Sequence, residues 1–141
     1  MTLPHRLYLA ARWGRRDELQ RYAAQLHAQG YQIMSRWLTE APAYPDDGTT
    51  LAPAVLLAQV AETCEADVLA ADTLLAFTER PDSPYGRGGR HVEWGIARQA
   101  RKRLLVVGPV ENAFYSTAHA VYDTWTACLT ALTQAQEVPT P

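Results

Sequence analysis

The chain is poor in cysteine. Cys64 and Cys128 are the only thiols among its 141 residues. Two thiols cannot build a disulfide framework or, by themselves, a four-ligand zinc site, which points to a reducing compartment. It also lacks an excess of charge of one sign: Lys plus Arg number 13, Asp plus Glu 15, and the net charge is −2. That balance excludes a generally basic nucleic-acid binder and leaves room for a local basic pocket. No stretch approaches the ~18 to 20 apolar residues that cross a bilayer. The apolar patch at residues 7–11 is followed at once by Arg12, Arg15 and Arg16, whereas a secretory signal carries its charge first. Internal repeats, low-complexity blocks and clusters of His, Cys and Asp with metal-ligand spacing are missing too, and Ser35, Ser83 and Ser116 have no nucleophile-elbow context. These absences predict a soluble, cytoplasmic protein. They predict no metal, no cofactor, no membrane and no polymeric nucleic acid as partner.

What is present is ordinary globular composition, 48% hydrophobic and 20% charged, which argues against disorder. The length suits one domain over residues 1–136 with a frayed tail at 137–141.

Residues 7–10 form a short apolar run and predict a buried strand. Asp17 and Glu18 then sit where a helix's first turn favours acids. Leu19, Tyr22, Ala23 and Leu26 follow on one helical face, and Gly30 supplies a stop. Residues 32–38 read as a second strand. The stretch 40–53, with Pro42, Pro45, Gly48 and Pro53, reads as a long loop. A helix is expected over 54–65, a strand over 73–77, and a glycine- and proline-rich loop over 78–90. A third helix follows from near 91 to about 102, then a strand over 104–107 stopped by Gly108 and Pro109. A third long loop runs to about residue 120. The last helix starts near Asp123, with Trp125, Cys128, Leu129 and Leu132 on one face. The order β-α-β-α-β-α-β-loop-α, with continuous apolar strands, indicates the α/β class. We expect a single-domain three-layer sandwich around a mostly parallel, doubly wound sheet, Rossmann- or flavodoxin-like. In such sheets ligands bind beyond the carboxyl ends of the strands.

Two loops at that end carry candidate chemistry. After the first strand come Ala10, Ala11, Arg12, Trp13, Gly14, Arg15 and Arg16. Small residues let the backbone approach a ligand, a helix N-terminus favours an anion, and Arg holds phosphate bidentately. The alternative is a solvated basic turn with Trp13 covering the core. Before the third helix come Gly86, Arg87, Gly88, Gly89, Arg90, His91, Val92 and Glu93. Glu93 is expected in the helix's first turn, where the dipole would favour its ionised form. An ionised carboxylate beside a glycine-rich pocket can attack a sugar anomeric carbon, although an acid near a helix start can also be plainly structural. His91 could contact a ligand or serve the surface. Asp72, just before the third strand, is read as fixing the start of that strand.

Four blocks carry a resemblance: Tyr8-Leu9-Ala10-Ala11-Arg12-Trp13, Ser35-Arg36-Trp37, Ala71-Asp72-Thr73-Leu74-Leu75, and Gly88-Gly89-Arg90-His91-Val92-Glu93-Trp94-Gly95. Over residues 7–110 the chain resembles the nucleoside 2-deoxyribosyltransferase superfamily, which includes base-swapping transferases and hydrolases of 2'-deoxynucleoside 5'-monophosphates. The resemblance implies that Glu93 is the nucleophile that forms a covalent deoxyribosyl-enzyme. It implies that Trp13 lies near the nucleoside and that Gly88 and Gly89 wrap the sugar's 5' side. Ala10, Arg12, Arg15, Arg16, Arg36, Trp37, Gly86 and His91 complete the expected substrate-binding set. The family's Asp on the helix before the third strand falls at or near Cys64. Either Asp67 substitutes, or Asp46 or Asp47 does, or the role is lost. Because the family borrows residues from a neighbouring subunit, the resemblance also implies a homodimer or larger, with Asn112, Tyr115 and Ser116 as the contributed residues.

The expected function is cleavage of the N-glycosidic bond of a 2'-deoxynucleoside or its 5'-monophosphate, with the sugar passed to another base or to water. Five arginines on ligand-side loops (Arg12, Arg15, Arg16, Arg87 and Arg90) favour a phosphorylated substrate. The alternative is a nucleotide-binding module without catalysis, which the missing Asp near Cys64 supports.

Overall fold

A computed structural model describes residues 5–40, 53–84 and 88–137. Most of the 40–53 loop, with Asp46 and Asp47, lies outside the described residues. So do Gly86, Arg87 and the tail beyond Glu137. The apolar runs form the centre of one sheet. Strand β1 (Arg6–Ala10) buries Leu7, Tyr8, Leu9 and Ala10 completely. Strand β3 (Thr73–Phe77) is buried along its whole length, and β4 (Arg103–Val107) from Leu104 onward. Near-continuous apolar strands are what a parallel sheet covered on both faces requires.

Helix α1 (Arg16–Ala28) follows β1 with Asp17 and Glu18 in its first turn and buries Leu19 and Leu26. Gly30, at φ +92°, ends it in a conformation that favours glycine. Strand β2 is shorter than expected. It covers only Gln32–Ile33, and residues Arg36–Leu38 form a 3-10 turn. The reason is visible at Leu9 of β1. Its N–H donates to Ser35 Oγ at 2.6 Å, and its carbonyl accepts from Trp37 Nε1 at 2.9 Å. Two side chains satisfy the backbone groups that a longer β2 would have paired.

Helix α2 (Ala54–Ala70) runs five residues past the expected end at 65. Helix α3 (Gly89–Gln99) begins at an αL Gly88 (φ +87°) and ends three residues before the expected 102. The loop after β4 holds a 3-10 turn (Ala113–Thr117) and then an unexpected fifth strand, β5 (Ala120–Tyr122). Three half-exposed residues are too short a run to signal a strand. Helix α4 (Trp125–Glu137) closes the fold and extends into the stretch expected to fray.

All strand pairs are parallel, in the order β2-β1-β3-β4-β5. Helices α2 and α3 pack together over β1, β3 and β4. The opposite face carries α1 and α4, joined where Tyr22 stacks on Trp125 at 4.4 Å and Tyr31 Oη donates to the Leu132 carbonyl. The expected three-layer sandwich is therefore present. The strand order reverses between β1 and β3, which places the crevice of this fold class at the carboxyl ends of those two strands. At the other end, Asp72 fixes the start of β3. It accepts from the Arg6 N–H at 3.0 Å and from Arg6 Nη2 at 3.0 Å. No helix among the described residues is long and apolar enough to cross a membrane.

Candidate active site

A cavity of about 380 Å³ opens at the β1/β3 crevice, within the size range of small-molecule sites. Its walls come from three places. The loop after β1 supplies Arg12 and Trp13. The turn after β2 supplies Trp37, which meets Trp13 ring to ring at 6.0 Å. Helix α2 contributes Leu57, Val60, Ala61, Cys64 and Glu65, and α3 contributes Gly88, Gly89, Arg90, Val92, Glu93 and Ile96. The cavity is thus a mostly apolar, aromatic-walled space with one buried carboxylate in it.

Glu93 is the fifth residue of α3, so it opens the second turn rather than sitting in the first. The expected dipole stabilisation is correspondingly lost, since that effect fades beyond the first turn. Burial instead pushes the Glu93 carboxyl up to about 7, against the opposing pull of the Tyr8 hydroxyl and the Arg90 guanidinium. Its Oε2, the Tyr8 hydroxyl and Arg90 Nε are all buried and make no hydrogen bond within the described residues. Tyr8 reaches the site from the middle of β1, and its phenol is raised well above its ordinary value by burial first and by Glu93 second. Gly89 leaves open room beside Glu93 Oε1, where an added Cβ would stand 3.9 Å away.

Three unpaired buried polar atoms, one of them the carboxylate's own, are unusual, because buried polar groups are nearly always paired. The sequence pointed to Glu93 but assigned no role to Tyr8 or Glu65. Tyr8 carries no local signal beyond its place in an apolar strand. Glu65 lines the cavity one residue after Cys64, where an acid from α2 was expected. The Cys64 thiol is pushed up to about 11 by burial and then by Glu93, so it stays neutral.

The remaining expected residues divide. Arg12, Trp13, Trp37, Gly88 and Gly89 line the cavity. Ala10 is sealed in the core at the end of β1, paired with Ala76. Arg15 and Arg16 do not line the cavity. Arg15 is held by Glu18 at 2.8 Å and Glu79 at 3.3 Å. Arg16 donates to the Leu38 carbonyl at 2.8 Å, and its guanidinium lies 4.8 Å from the centre of the Trp13 ring. Arg12 is bonded to Glu79 and Arg90 to Glu111. Three of the five arginines expected to favour a phosphate thus already hold a carboxylate: Arg12 has Glu79, Arg15 has Glu18 and Glu79, and Arg90 has Glu111.

Asp67 does not face the cavity. It is buried, accepts from the Arg36 N–H at 3.0 Å and from Arg36 Nε at 2.8 Å, and so holds the turn after β2 against α2. His91 is exposed and meets Tyr115 Oη at 2.8 Å through Nδ1. Tyr115 is buried in its own chain beside Trp94. Asn112 accepts from the Phe114 N–H, and Ser116 donates to the Ala113 carbonyl. None of these three lines the cavity of its own chain. Phe114 between them is 67% exposed.

No family model and no curated protein matches the sequence. Solved structures do match the fold. A 2-deoxyribosyltransferase from Bacillus psychrosaccharolyticus aligns with a TM-score of 0.67 at 15% identity, covering 90% of this chain and 95% of that one. A CMP N-glycosidase from Clostridium botulinum aligns at 0.56 and 17% identity, covering 92% and 98%. A 2-deoxyribosyltransferase from Leishmania mexicana aligns at 0.55 and 14% identity, covering 93% and 98%. The five-stranded parallel sheet and its flanking helices thus give this chain the fold of the 2-deoxyribosyltransferases and the CMP N-glycosidase.

Proposed function

We propose that the protein cleaves the N-glycosidic bond of a 2'-deoxynucleoside or its 5'-monophosphate. The observation that carries this reading is the buried Glu93 carboxylate, unpaired at Oε2, in the wall of an aromatic-lined cavity at the β1/β3 crevice. Glu93 in its ionised form attacks C1' as the C1'–N bond breaks and the base leaves with its electron pair, giving a covalent glycosyl-enzyme, and a second base or water then takes the sugar and restores the carboxylate. The Tyr8 hydroxyl favours the ionised form of that carboxylate. Trp13 and Trp37 offer an apolar surface for the base, and Gly88 and Gly89 let the sugar approach the start of α3. The fold neighbours that act on nucleosides or nucleotides support the substrate class. Incubation with each deoxynucleoside and deoxynucleotide, with chromatography for free base, tests the reading. Absence of base release from all of them would overturn it.

A nucleotide-binding module without turnover is the second reading. It is favoured by Cys64, a neutral thiol where an acid on α2 would serve the leaving base. Tight binding without base release in the same incubations would select it.

The proposal includes a homodimer or larger. Phe114, Val92 and Val110 are large apolar side chains left 67%, 63% and 46% exposed, and Phe114 and Val92 belong to the loop after β4 and to α3, which touch through Trp94 Nε1 and the Phe114 carbonyl. Light scattering should give at least twice 15.7 kDa, and Phe114→Glu should return the monomer mass.

A further inference from the structure

Beside the main cavity lies a smaller one of about 180 Å³. The two adjoin, with Trp37, Val60 and Cys64 lining both. Their chemistry differs. The smaller cavity is lined by Arg36, Glu40 and Gln59, and the carboxylate partner of Arg36, Asp67, is buried.

Asp67 is 4% exposed and gives both oxygens to Arg36, one to its backbone N–H and one to its guanidinium. The Arg36 side chain is nevertheless 49% exposed. Asp67 grips one edge of the guanidinium, and a planar five-donor group held by one edge presents its remaining donors in a fixed direction. Cys64 lines both cavities, the one that holds Glu93 and the one that holds Arg36. A base attached to a sugar at Glu93 and lying on Trp37 would therefore extend toward Arg36.

We propose that Arg36, oriented by Asp67, and Glu40 together read a lactam edge of the nucleobase, Arg36 donating to the ring carbonyl and Glu40 accepting the adjacent N–H. This rests on the glycosidic reading above and names its substrate class as oxo-bases. It also supplies what Cys64 cannot. As Glu93 Oε bonds to C1', the C1'–N bond breaks and its electron pair moves onto the base. The base then leaves as an anion delocalised onto the carbonyl oxygen that Arg36 holds, and it takes its proton from water. Arg36 touches the substrate in this scheme, whereas Asp67 is a positioning residue.

The test is binding of free bases, which needs no turnover. Hypoxanthine and purine differ in the lactam group alone. A hydrogen bond to a charged group is worth about 10- to 100-fold in an equilibrium constant. Wild type should bind hypoxanthine at least ~10-fold more tightly than purine by calorimetry, and Arg36→Gln/Asp67→Asn, which removes both charges together, should bring the ratio to about one. Should that variant fail to fold, Glu40→Gln at an exposed position should lower the ratio by about 2- to 10-fold. A wild-type ratio near one, or a ratio unchanged in a folded variant, overturns the inference. Selective hypoxanthine binding without base release from any deoxynucleoside would overturn the enzymatic reading and leave the base subsite standing.

Discussion

The two ends of the same sheet each set a carboxylate beside an arginine, to opposite effect. At the amino end, Asp72 receives the Arg6 N–H and guanidinium, His5 meets Thr73 Oγ1 at 2.8 Å, and Lys102 donates to the Leu69 carbonyl. There Arg6 holds the Asp72 carboxyl below its ordinary value. At the carboxyl end, Glu93, Tyr8 and Arg90 each keep a buried polar atom unpaired, and burial drives the Glu93 carboxyl up to about 7. Where the polar groups are satisfied, they anchor strands. Where they are left wanting, the fold carries a cost that only a ligand or a reaction would make useful.

The contrast between the two ends is greatest at Glu93. Glu93→Gln should lower turnover by at least ~10²-fold in a folded protein, because a covalent step has no other nucleophile. In wild type, kcat/KM should rise with pH through about 7 as Glu93 ionises. Measured initial rates across pH 5–9 check both, and near-normal turnover in the variant would remove Glu93 from the reaction.

The same substitution should stabilise the fold. The folded Glu93 carboxyl titrates near 7 and an unfolded one near 4.5, so between these values the native state binds more protons and stability falls as pH rises. The penalty is absent below about pH 4.5 and complete above about pH 7. At 1.36 kcal/mol per unit it reaches about 3 kcal/mol. Glu93→Gln should therefore be more stable than wild type at pH 8 by up to about 3 kcal/mol and close to it at pH 4.5, as read by urea denaturation. Equal stability at both pH values would show that the carboxylate is better solvated than its surroundings imply.

Asp72→Asn probes the other end with the opposite sign. A depressed carboxyl contributes stability that is present above its unfolded value near 3.9 and is lost as pH falls through the lower folded value. The side chain is 36% exposed, so solvent screening limits the loss at pH 7 to about 1 kcal/mol or less. Turnover per folded molecule should not change. Loss of activity without loss of stability would mean that the two ends are coupled.

How far the molecule could be read from its sequence follows this division. The strands whose burial is complete, β1, β3 and β4, were legible as apolar runs, and Asp72 was legible as a fastening at the start of β3. Strand β2 was overextended because Ser35 and Trp37 imitate backbone pairing at Leu9, which no local pattern announces. Strand β5 was missed because Ala120, Val121 and Tyr122 are too few to show a period. At the site, Glu93 and its glycines were legible from their spacing. Its charge state was not, because the burial that sets it comes from tertiary packing, with Tyr8 and Cys64 brought beside it from β1 and α2. The arginines misled for the same reason: Glu79 neutralises Arg12 from 67 positions away.

That neutralisation gives the smallest expected effect. Arg15 and Arg16 lie at the carboxyl end, yet they resemble the amino end in being satisfied. Arg15 is shared between Glu18 and Glu79, and Arg16 is spent on the Leu38 carbonyl and the Trp13 ring. A 5'-phosphate bound by either would have to displace an existing partner, so its gain is a difference between two similar charge-assisted bonds. The ratio of kcat/KM for a deoxynucleotide over its deoxynucleoside should then change by less than about threefold in Arg15→Ala and in Arg16→Ala, because partner exchange in a partly solvated site is worth well under 1 kcal/mol. A fall in that ratio of 10-fold or more in either variant would show that phosphate outcompetes Glu18, Glu79 or Leu38, and the basic loop would then belong with the unsatisfied centre rather than with the fastenings.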